Sequence, residues 1–302
     1  MTISVAGAPV SFGVFELTPT DSMASLVTPD EMVTVLEATG YTGIDLGPVG
    51  YLGRGDALRA RLVSHGLELA GGWIDLPFSD DEAFEGAFGQ LERTLDVFDE
   101  ATALDPGRLP KPTLADSGSD ERRAHPGGGP GLSLDEAGWN RLARNVERAA
   151  GAVRARGLEP TFHHHACTYV ETPPEIDEFL RRTDVGLTFD TGHILIGGGD
   201  PLEGWRQWRS RINHVHIKDV RLGILREIVS GGGGIFDVWS ARTFVPLGQG
   251  DLDVTGLMNE IAVSDYEGWL IVEQDVIATV EDTVETFRRD HEVNRLALRP
   301  WA

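Results

Sequence analysis

The sequence predicts a (β/α)8 barrel, and two observations lead to this fold class. Eight short apolar segments alternate with eight longer segments of helical periodicity, and this strict alternation is typical of a parallel sheet covered by helices. Eight units are the number that closes such a sheet into a barrel. An open doubly wound sheet normally carries a glycine fingerprint after its first strand, and the segment from Gly7 to Gly13 does not match it.

The predicted strands are short apolar runs bounded by glycine, proline or polar residues. They cover residues 4–8, 43–46, 67–74, 112–115, 160–165, 185–190, 212–218 and 269–273. The predicted helices cover residues 30–39, 55–65, 81–104, 134–156, 174–182, 201–210, 254–263 and 280–298. Several of them begin with the spacing of a capping box, in which a Ser or Thr side chain and a Glu three residues later satisfy free N–H groups. Examples are Thr28 with Glu31, Ser133 with Glu136 and Thr172 with Glu175.

We expect one TIM-barrel domain over residues 1–302, with two long connections on the face where such barrels carry their active sites. Residues 116–131 follow the fourth strand, and their polar, glycine-rich composition favours flexibility. Residues 219–250 follow the seventh strand and contain Phe236, Trp239 and Phe244. These aromatic residues favour an ordered cover over a site.

Composition and charge restrict the function classes. The chain has 302 residues and a formal net charge of −22, which argues against nucleic-acid and anionic-membrane partners. No apolar run is long enough for a membrane span, and the N-terminus lacks the pattern of a signal peptide. Cys167 is the sole cysteine, and we expect it to be a buried thiol rather than a nucleophile. A cytoplasmic protein acting on a small molecule is the expectation, with a homo-oligomer left open.

Ionisable residues collect where the last four predicted strands end. The fifth strand ends in His163, His164 and His165, and the sixth ends in Asp190, with His193 three residues later. The seventh strand carries His214, His216 and Lys218 at alternate positions. The eighth ends in Glu273, and Asp275 lies two residues further on. Mixed carboxylate and imidazole ligands suit Mn²⁺, Co²⁺, Zn²⁺ or Fe²⁺. The best three ligands are Asp190, His216 and Glu273, with His163 as the fourth.

Each of these residues also has a structural interpretation. His214 is interpreted as a core residue that lies deeper in the barrel. Asp190 could instead cap the helix that follows it, and Glu273 could form a salt bridge at the rim. These structural interpretations are independent of one another, and we would not expect them to place ionisable residues at the ends of successive strands. The metal-site hypothesis is therefore preferred. A metalloprotease motif, a nucleophile elbow and a phosphate loop are all missing.

At these residues the sequence resembles the xylose isomerase-like barrel superfamily. The matching words are GIDLGP at residues 43–48, HHH at 163–165, DTGH at 190–193, HVHIKDV at 214–220, LGQGDLD at 247–253 and GWLIVEQD at 268–275. The superfamily includes sugar isomerases, epimerases, inosose dehydratase and endonuclease IV. The resemblance is greatest to the inosose dehydratase and sugar phosphate isomerase/epimerase groups. Endonuclease IV needs further metal ligands and a DNA-binding surface, which the net charge opposes.

The resemblance implies a divalent metal, with Mn²⁺ or Co²⁺ favoured and Zn²⁺, Fe²⁺ or Mg²⁺ compatible. Its implied ligands are His163, Asp190, His216 and Glu273, although the common pattern has Glu at the position of His163. The implied catalytic residues are His165, His193 and Lys218, which contact substrate oxygens or move protons. The implied substrate contacts are Asp45, Trp73, Glu171 and Asp275.

The chemistry implied by these relatives begins with removal of a proton next to a carbonyl group. Loss of a β-hydroxyl then gives a dehydratase, whereas reprotonation gives an isomerase or epimerase. We favour dehydration of a keto-inositol (inosose) by a metal-dependent lyase. The alternatives are a sugar (phosphate) isomerase or epimerase working through an enediolate, the metal-barrel subunit of a two-component C-glycoside-cleaving enzyme, and a non-catalytic binding protein.

Overall fold

Eight parallel strands close into a barrel, as the alternation predicts. The protein is described by a computed structural model that covers residues 3–15, 27–102 and 108–302. The barrel strands are β1 (Ser4–Gly7), β2 (Gly43–Asp45), β3 (Glu68–Leu76), β4 (Lys111–Asp116), β5 (Thr161–His163), β6 (Gly186–Asp190), β7 (Ile212–Ile217) and β10 (Trp269–Val272). They pair around the barrel in the order β1, β10, β7, β6, β5, β4, β3, β2. β8 (Asp219–Val220) and β9 (Phe244–Val245) form a separate antiparallel pair.

Helices cover the outside of this barrel. They are α1 (Pro29–Ala38), α2 (Gly55–Ser64), α3 (Asp81–Thr102), α4 (Asp120–Arg123), α5 (Glu136–Ala155), α6 (Pro173–Arg182), α7 (Thr191–Ile196), α8 (Pro201–Trp208), α9 (Leu222–Ser230), α10 (Ile235–Ser240), α11 (Val254–Ala262) and α12 (Val284–Leu298). All eight predicted helices are present. The last begins at Val284 rather than at residue 280, because Thr283 caps it, and residues 103–104 of the third lie outside the described part. α4, α7, α9 and α10 were not predicted; α4 and α7 follow the carboxyl ends of β4 and β6, and α9 and α10 lie within the connection at residues 219–250.

Of the three capping boxes given above as examples, two form. Thr28 and Glu31 satisfy each other's N–H groups, and the Glu175 carboxylate accepts the N–H of Thr172. Ser133 does not cap α5. Asp135 does so by accepting the N–H of Gly138, and this frees the Ser133 hydroxyl to donate to Glu175 at 2.9 Å.

The strands alternate between the helices outside and the barrel interior, and this directs polar residues inward. On β6, Phe189 packs edge-on against Trp205 of α8, with ring centroids 5.6 Å apart. Its neighbour Thr188 instead shares a 2.8 Å hydrogen bond with Thr161 of β5. The register pairs Asp190 with His216 across β6 and β7. Two residues predicted as metal ligands are therefore neighbours at the end of the barrel where the strands terminate.

The connection at residues 116–131 is tied down by one buried side chain, in contrast to the predicted flexibility. Arg122 of α4 is 1% exposed. Its guanidinium donates to Glu171 and Glu175, with three N to O distances of 2.9 Å. The Gly127 N–H donates to Glu171 at 2.7 Å. The segment is thus anchored to the loop and helix that follow β5.

The two ends of the longer connection, residues 219–250, are joined by the carboxylate of Asp219. Asp219 is buried and accepts the N–H groups of Val220, Gly248, Gly250 and Leu252, at distances of 2.8 to 2.9 Å. A Cβ at Gly250 would lie 2.2 Å from Asp219 Oδ1, so this close approach requires glycine. Trp239 and Phe244 are buried, and Phe236 is 48% exposed.

Among the described residues, no helix combines the length and the apolar character that crossing a membrane would require.

Candidate active site

A cavity opens where the barrel strands end. Its volume is about 170 Å³, below the ~300 to 1,000 Å³ of sites for drug-sized ligands, so it suits a small molecule. The polar side of its lining includes Asp45, His163, His165, His216, Lys218, Glu273 and Asp275. The apolar side includes Val10, Val14, Phe15, Ile235 and Trp239.

Four buried side chains from four neighbouring strands converge beside this cavity. His163, Asp190, His216 and Glu273 offer ligand atoms that all lie within 4.8 Å of one another. His163 and Asp190 end β5 and β6, His216 lies on β7, and Glu273 follows β10. The predicted ligands are therefore brought together by the parallel arrangement, which places the carboxyl ends of all the strands at one edge.

Asp190 uses its two oxygens differently. Oδ1 caps α7 by accepting the N–H of His193 at 3.0 Å. Oδ2 accepts no hydrogen bond from the described residues, although His163 Nε2 lies at 3.3 Å and His216 Nδ1 at 3.7 Å. The capping and metal-ligand interpretations of Asp190 are thus compatible, because each applies to a different oxygen.

This donor set fits a divalent cation. Four ligands about 2.1 Å from one ion would lie about 3.4 Å from each other in tetrahedral coordination, close to the distances around Asp190 Oδ2. His163 donates from Nδ1 to the carbonyl of His164, which leaves Nε2 unprotonated and directed at Asp190. Such a hydrogen bond on the far nitrogen is how ligating histidines are usually oriented.

Lys218 carries a buried positive charge at the centre of these groups. Its Nζ lies 2.7 Å from Asp275 Oδ1, 3.0 Å from Glu273 Oε2 and 3.3 Å from Asp190 Oδ2. Burial lowers the pKa of the ammonium, but attraction to these three carboxylates outweighs burial and raises the pKa above its ordinary value. Lys218 is therefore suited to hold charge rather than to give up a proton at neutral pH.

His165 reaches the cavity with an unprotonated nitrogen. Its Nδ1 donates to the carbonyl of Ala166 at 2.8 Å, which leaves Nε2 as the proton-accepting nitrogen of a neutral ring. Burial, together with the charges of His163 and Lys218, lowers the pKa of His165 well below its usual value. Trp73 packs edge-on against it, with ring centroids 4.9 Å apart.

His193 does not reach the cavity, contrary to the expectation that it contacts substrate. It is fully buried and is not among the residues that line the cavity. Its Nε2 lies 3.0 Å from Lys218 Nζ, and its ring centroid lies 3.7 Å from that of His165. The reason is that α7 begins directly at Asp190 and carries His193 behind the two residues that face the cavity.

The segment DTGH, residues 190–193, packs around Lys218. Thr191 Oγ1 accepts the N–H of Lys218 at 2.8 Å and donates to its carbonyl at 2.7 Å. A Cβ at Gly192 would lie 2.7 Å from Lys218 Cβ and 2.8 Å from Phe244 Cε1. The roles of Thr191 and Gly192 were not predicted, because their partner lies more than 25 residues away along the chain.

Three of the four predicted substrate contacts line the cavity: Asp45, Trp73 and Asp275. Burial raises the pKa of Asp45 to about 7 and that of Asp275 to about 6. Glu171 is the exception. It is fully buried and is not part of the cavity lining, because its carboxylate binds Arg122 and the Gly127 N–H.

The cavity also contains residues that the sequence did not point to. Asp116 closes β4 as Asp190 closes β6, so the rule of strand-end carboxylates could have found it. It lines the cavity together with Arg123, and burial raises its pKa to about 6. Cys167 is buried, as expected, and burial raises its pKa. His214 is also buried, but neither ring nitrogen has a hydrogen-bond partner in the described part of the chain.

Comparisons with known proteins identify the family to which this barrel belongs. The family model described as "Xylose isomerase-like TIM barrel" matches residues 33–290. A protein named inosose dehydratase from Geobacillus kaustophilus (strain HTA426) is 33% identical over 257 residues, which cover 82% of this chain and 80% of the relative. The rhizopine catabolism protein MocC of Rhizobium meliloti is 31% identical over 251 residues, 82% of this chain and 74% of the relative.

Among solved structures, the IOLI protein with a bound zinc atom superposes with a TM-score of 0.70 at 13% sequence identity. The match covers 100% of this chain and 99% of that one. At this level of identity it shows a shared fold alone.

Proposed function

The chain belongs to the xylose isomerase-like TIM barrel family, and on this premise we propose that it is a metal-dependent dehydratase acting on a keto-inositol (inosose). The observation that carries the proposal is a buried His, Asp, His and Glu group beside a small cavity that also contains the unprotonated Nε2 of His165. The relatives named inosose dehydratase support the substrate class.

His163, Asp190, His216 and Glu273 are the proposed metal ligands. The ion, when bound, would act as a Lewis acid that polarises the ketone of the substrate and stabilises negative charge on its oxygen. Mn²⁺ or Co²⁺ is the proposed ion, because histidine and carboxylate ligands together suit these metals. Zn²⁺ has the same ligand preferences and is named with the IOLI protein.

The chain's own residues are proposed to move the protons. His165 Nε2 takes the proton from the carbon next to the ketone, and the electrons of that C–H bond form a carbon–carbon double bond as the β-hydroxyl leaves. A protonated carboxyl group then gives its proton to the departing hydroxyl, so that one water is released. Asp45 is the proposed donor, since it lines the cavity and its pKa of about 7 keeps it partly protonated near neutral pH.

Lys218 and His193 have supporting roles in this proposal. The Lys218 ammonium stabilises negative charge that develops on the substrate oxygen. His193 is a positioning residue that lies against Lys218 Nζ and the ring of His165. Trp73 fixes the plane of His165 through their edge-on contact, and Asp275 holds Lys218 at 2.7 Å.

The test uses purified protein loaded with Mn²⁺ and 2-keto-myo-inositol as substrate. We expect an increase in ultraviolet absorbance from the conjugated dione, with release of one water per turnover. His165→Gln should lose this activity while it keeps the bound Mn²⁺. Turnover of a ketose without any dione would instead indicate an isomerase or epimerase, which shares the proton-abstraction step but differs in where the proton returns.

The wider expectations of a small polyol substrate and a cytoplasmic location form part of the same proposal. The cavity volume and the names of the relatives support the substrate size. The proposal concerns the single chain and leaves a homo-oligomer open.

A further inference from the structure

A second group of potential metal ligands lies beside the first. His165, His193 and Asp275 offer ligand atoms within 4.8 Å of one another, and His193 Nε2 is 3.5 Å from Asp275 Oδ2. Adjacent ligand groups of this kind occur in two-metal enzymes, where the ions are about 3.5 to 4 Å apart. The ligand residues alone would therefore be compatible with a binuclear centre.

The ammonium of Lys218 lies between the two groups and contacts both. From the first group, Glu273 Oε2 is 3.0 Å and Asp190 Oδ2 is 3.3 Å from Nζ. From the second group, Asp275 Oδ1 is 2.7 Å and His193 Nε2 is 3.0 Å from the same atom. One cation is thus surrounded by four atoms of the types that bind metals, and Lys218 is only 2% exposed.

We propose that the Lys218 ammonium takes the place of a second metal ion, so that the centre binds one ion and excludes another. The proposal rests on the proposed function, since it assumes that the first group holds a metal. In addition to the metal ligands, the proposal gives Lys218 a role of its own, which is to set the number of ions that the centre holds.

Charge supports this role. Asp190, Glu273 and Asp275 contribute three negative charges within 3.3 Å of Lys218 Nζ. One divalent ion and one ammonium neutralise these three charges. Removal of the ammonium would leave a negative charge buried without a partner, which is strongly unfavourable and would attract another cation.

The position of Lys218 is fixed by its surroundings rather than by its own flexible stem. Thr191 binds both its N–H and its carbonyl, and Gly192 leaves the space that its side chain occupies. The ring of Phe244 lies 5.7 Å from Nζ on another side, a distance at which a cation and an aromatic ring attract. A side chain held in this way can exclude an ion from a defined position.

The experiment counts Mn²⁺ in the intact chain. Wild-type protein and Lys218→Ala are dialysed against Mn²⁺, freed of unbound ion and analysed by mass spectrometry of the metal. Electron paramagnetic resonance then reports whether two Mn²⁺ ions are close enough to couple. We expect one uncoupled Mn²⁺ per wild-type chain and two coupled Mn²⁺ per Lys218→Ala chain.

Two further variants locate the additional ion. Lys218→Ala combined with His193→Ala should return to one Mn²⁺, because it lacks a ligand of the second group. Lys218→Arg keeps a cation and should also bind one. A coupled pair in the wild-type spectrum contradicts the proposal. If Lys218→Ala does not fold, Lys218→Met, which keeps the length of the side chain without its charge, replaces it with the same expectation of two coupled Mn²⁺ ions.

The outcomes separate this inference from the proposed function. One Mn²⁺ in the wild type and one in folded Lys218→Ala would overturn the role of Lys218 alone and leave the mononuclear site intact. A wild-type chain that binds no Mn²⁺ would overturn the proposed metal function and this inference with it.

Discussion

The hydroxyl of Thr191 binds both backbone polar groups of Lys218, accepting from its N–H and donating to its carbonyl. This pair joins the residue after β6 to the residue after β7. The same short word, DTGH, therefore supplies a proposed metal ligand and the support for the buried cation beside it. The first two predictions follow from this relationship.

Thr191→Val should destabilise the protein, because it keeps the shape of the side chain but leaves a buried N–H and a buried carbonyl without their partner. A buried group of this kind costs about 1 to 3 kcal/mol, so we expect the free energy of unfolding to fall by about 2 kcal/mol or more. Chemical denaturation measures the change. Thr191→Ser keeps the hydroxyl and is the control, and equal effects from Val and Ser would contradict the hydrogen-bond explanation.

Gly192→Ala should displace Lys218. The added Cβ would lie 2.7 Å from Lys218 Cβ and 2.8 Å from a carbon of the Phe244 ring, and overpacking of this kind typically costs about 1 to 3 kcal/mol. We expect a lower Tm and a loss of dehydratase activity. Gly151→Ala is the matched control, since it lies on an exposed face of α5 with nothing within 4 Å of its Cβ position. Unchanged Tm in both variants would show that the strand ends adjust freely.

Removal of one charged ligand should release the metal. Asp190→Asn and Glu273→Gln replace a negative oxygen donor with a neutral amide of almost the same size. Substitution of residues that only orient metal ligands lowers metal affinity by about 10- to 100-fold. Because Asp190 and Glu273 are proposed to bind the ion directly, we expect each variant to bind Mn²⁺ more than about 100-fold more weakly. Isothermal titration with Mn²⁺ measures this. Glu171→Gln is the control, because Glu171 binds Arg122 away from the cavity, and it should keep the metal.

Arg122→Met should loosen the segment at residues 116–131. The substitution leaves Glu171 and Glu175 without the guanidinium that joins them, and breaking a buried ion pair from one side costs about 3 to 5 kcal/mol. We expect a lower Tm and faster cleavage of this segment by proteinase K. Arg123→Met is the control, because it changes the neighbouring, partly exposed arginine. Equally fast cleavage of the segment in both variants would contradict the anchoring role of Arg122.

Asp116 should make stability depend on pH. Burial raises its pKa from 3.8 to about 6 in the folded chain, so the folded state keeps a proton that the unfolded state has released. Stability from this group is present below about pH 4 and is lost as the pH rises through about 6. Asp116→Asn mimics the protonated form and lacks this loss.

The measurement for Asp116 is the difference in unfolding free energy between the wild type and Asp116→Asn, taken without substrate from pH 4 to pH 7. We expect the wild type to lose up to about 3 kcal/mol relative to the variant over this interval. A difference that is constant with pH would show that Asp116 is ionised throughout.

The barrel and the grouping of the four candidate metal ligands could be predicted because both depend on a regular rule. Alternation of strands and helices fixes a parallel sheet, and parallel strands bring Asp190, His216 and Glu273 to one edge whatever the loops do. His163 follows from the same rule, since it ends β5. Neither prediction needs knowledge of contacts between residues far apart in the sequence.

The positions of His193 and Glu171 could not be derived in this way. His193 lies three residues past the end of β6, and its direction depends on whether Asp190 starts a helix there, which local sequence leaves open. Glu171 is occupied by Arg122, which is 49 positions away in the chain. One long-range ion pair thus decides both the role of Glu171 and the order of a segment whose composition resembles that of a flexible loop.

Asp219 gives the loop after β7 a further property. The Asp219 carboxylate binds N–H groups at both ends of this loop. The residues between these ends therefore form a loop whose two ends are held together. Ile235 and Trp239, on the apolar side of the cavity, lie between these ends, so substitutions there can change the shape of the cavity while Asp219 still joins the two ends. Phe244 is an exception, because its ring lies 5.7 Å from Lys218 Nζ. Substrate preference can therefore be altered at Ile235 and Trp239 without moving the reacting groups.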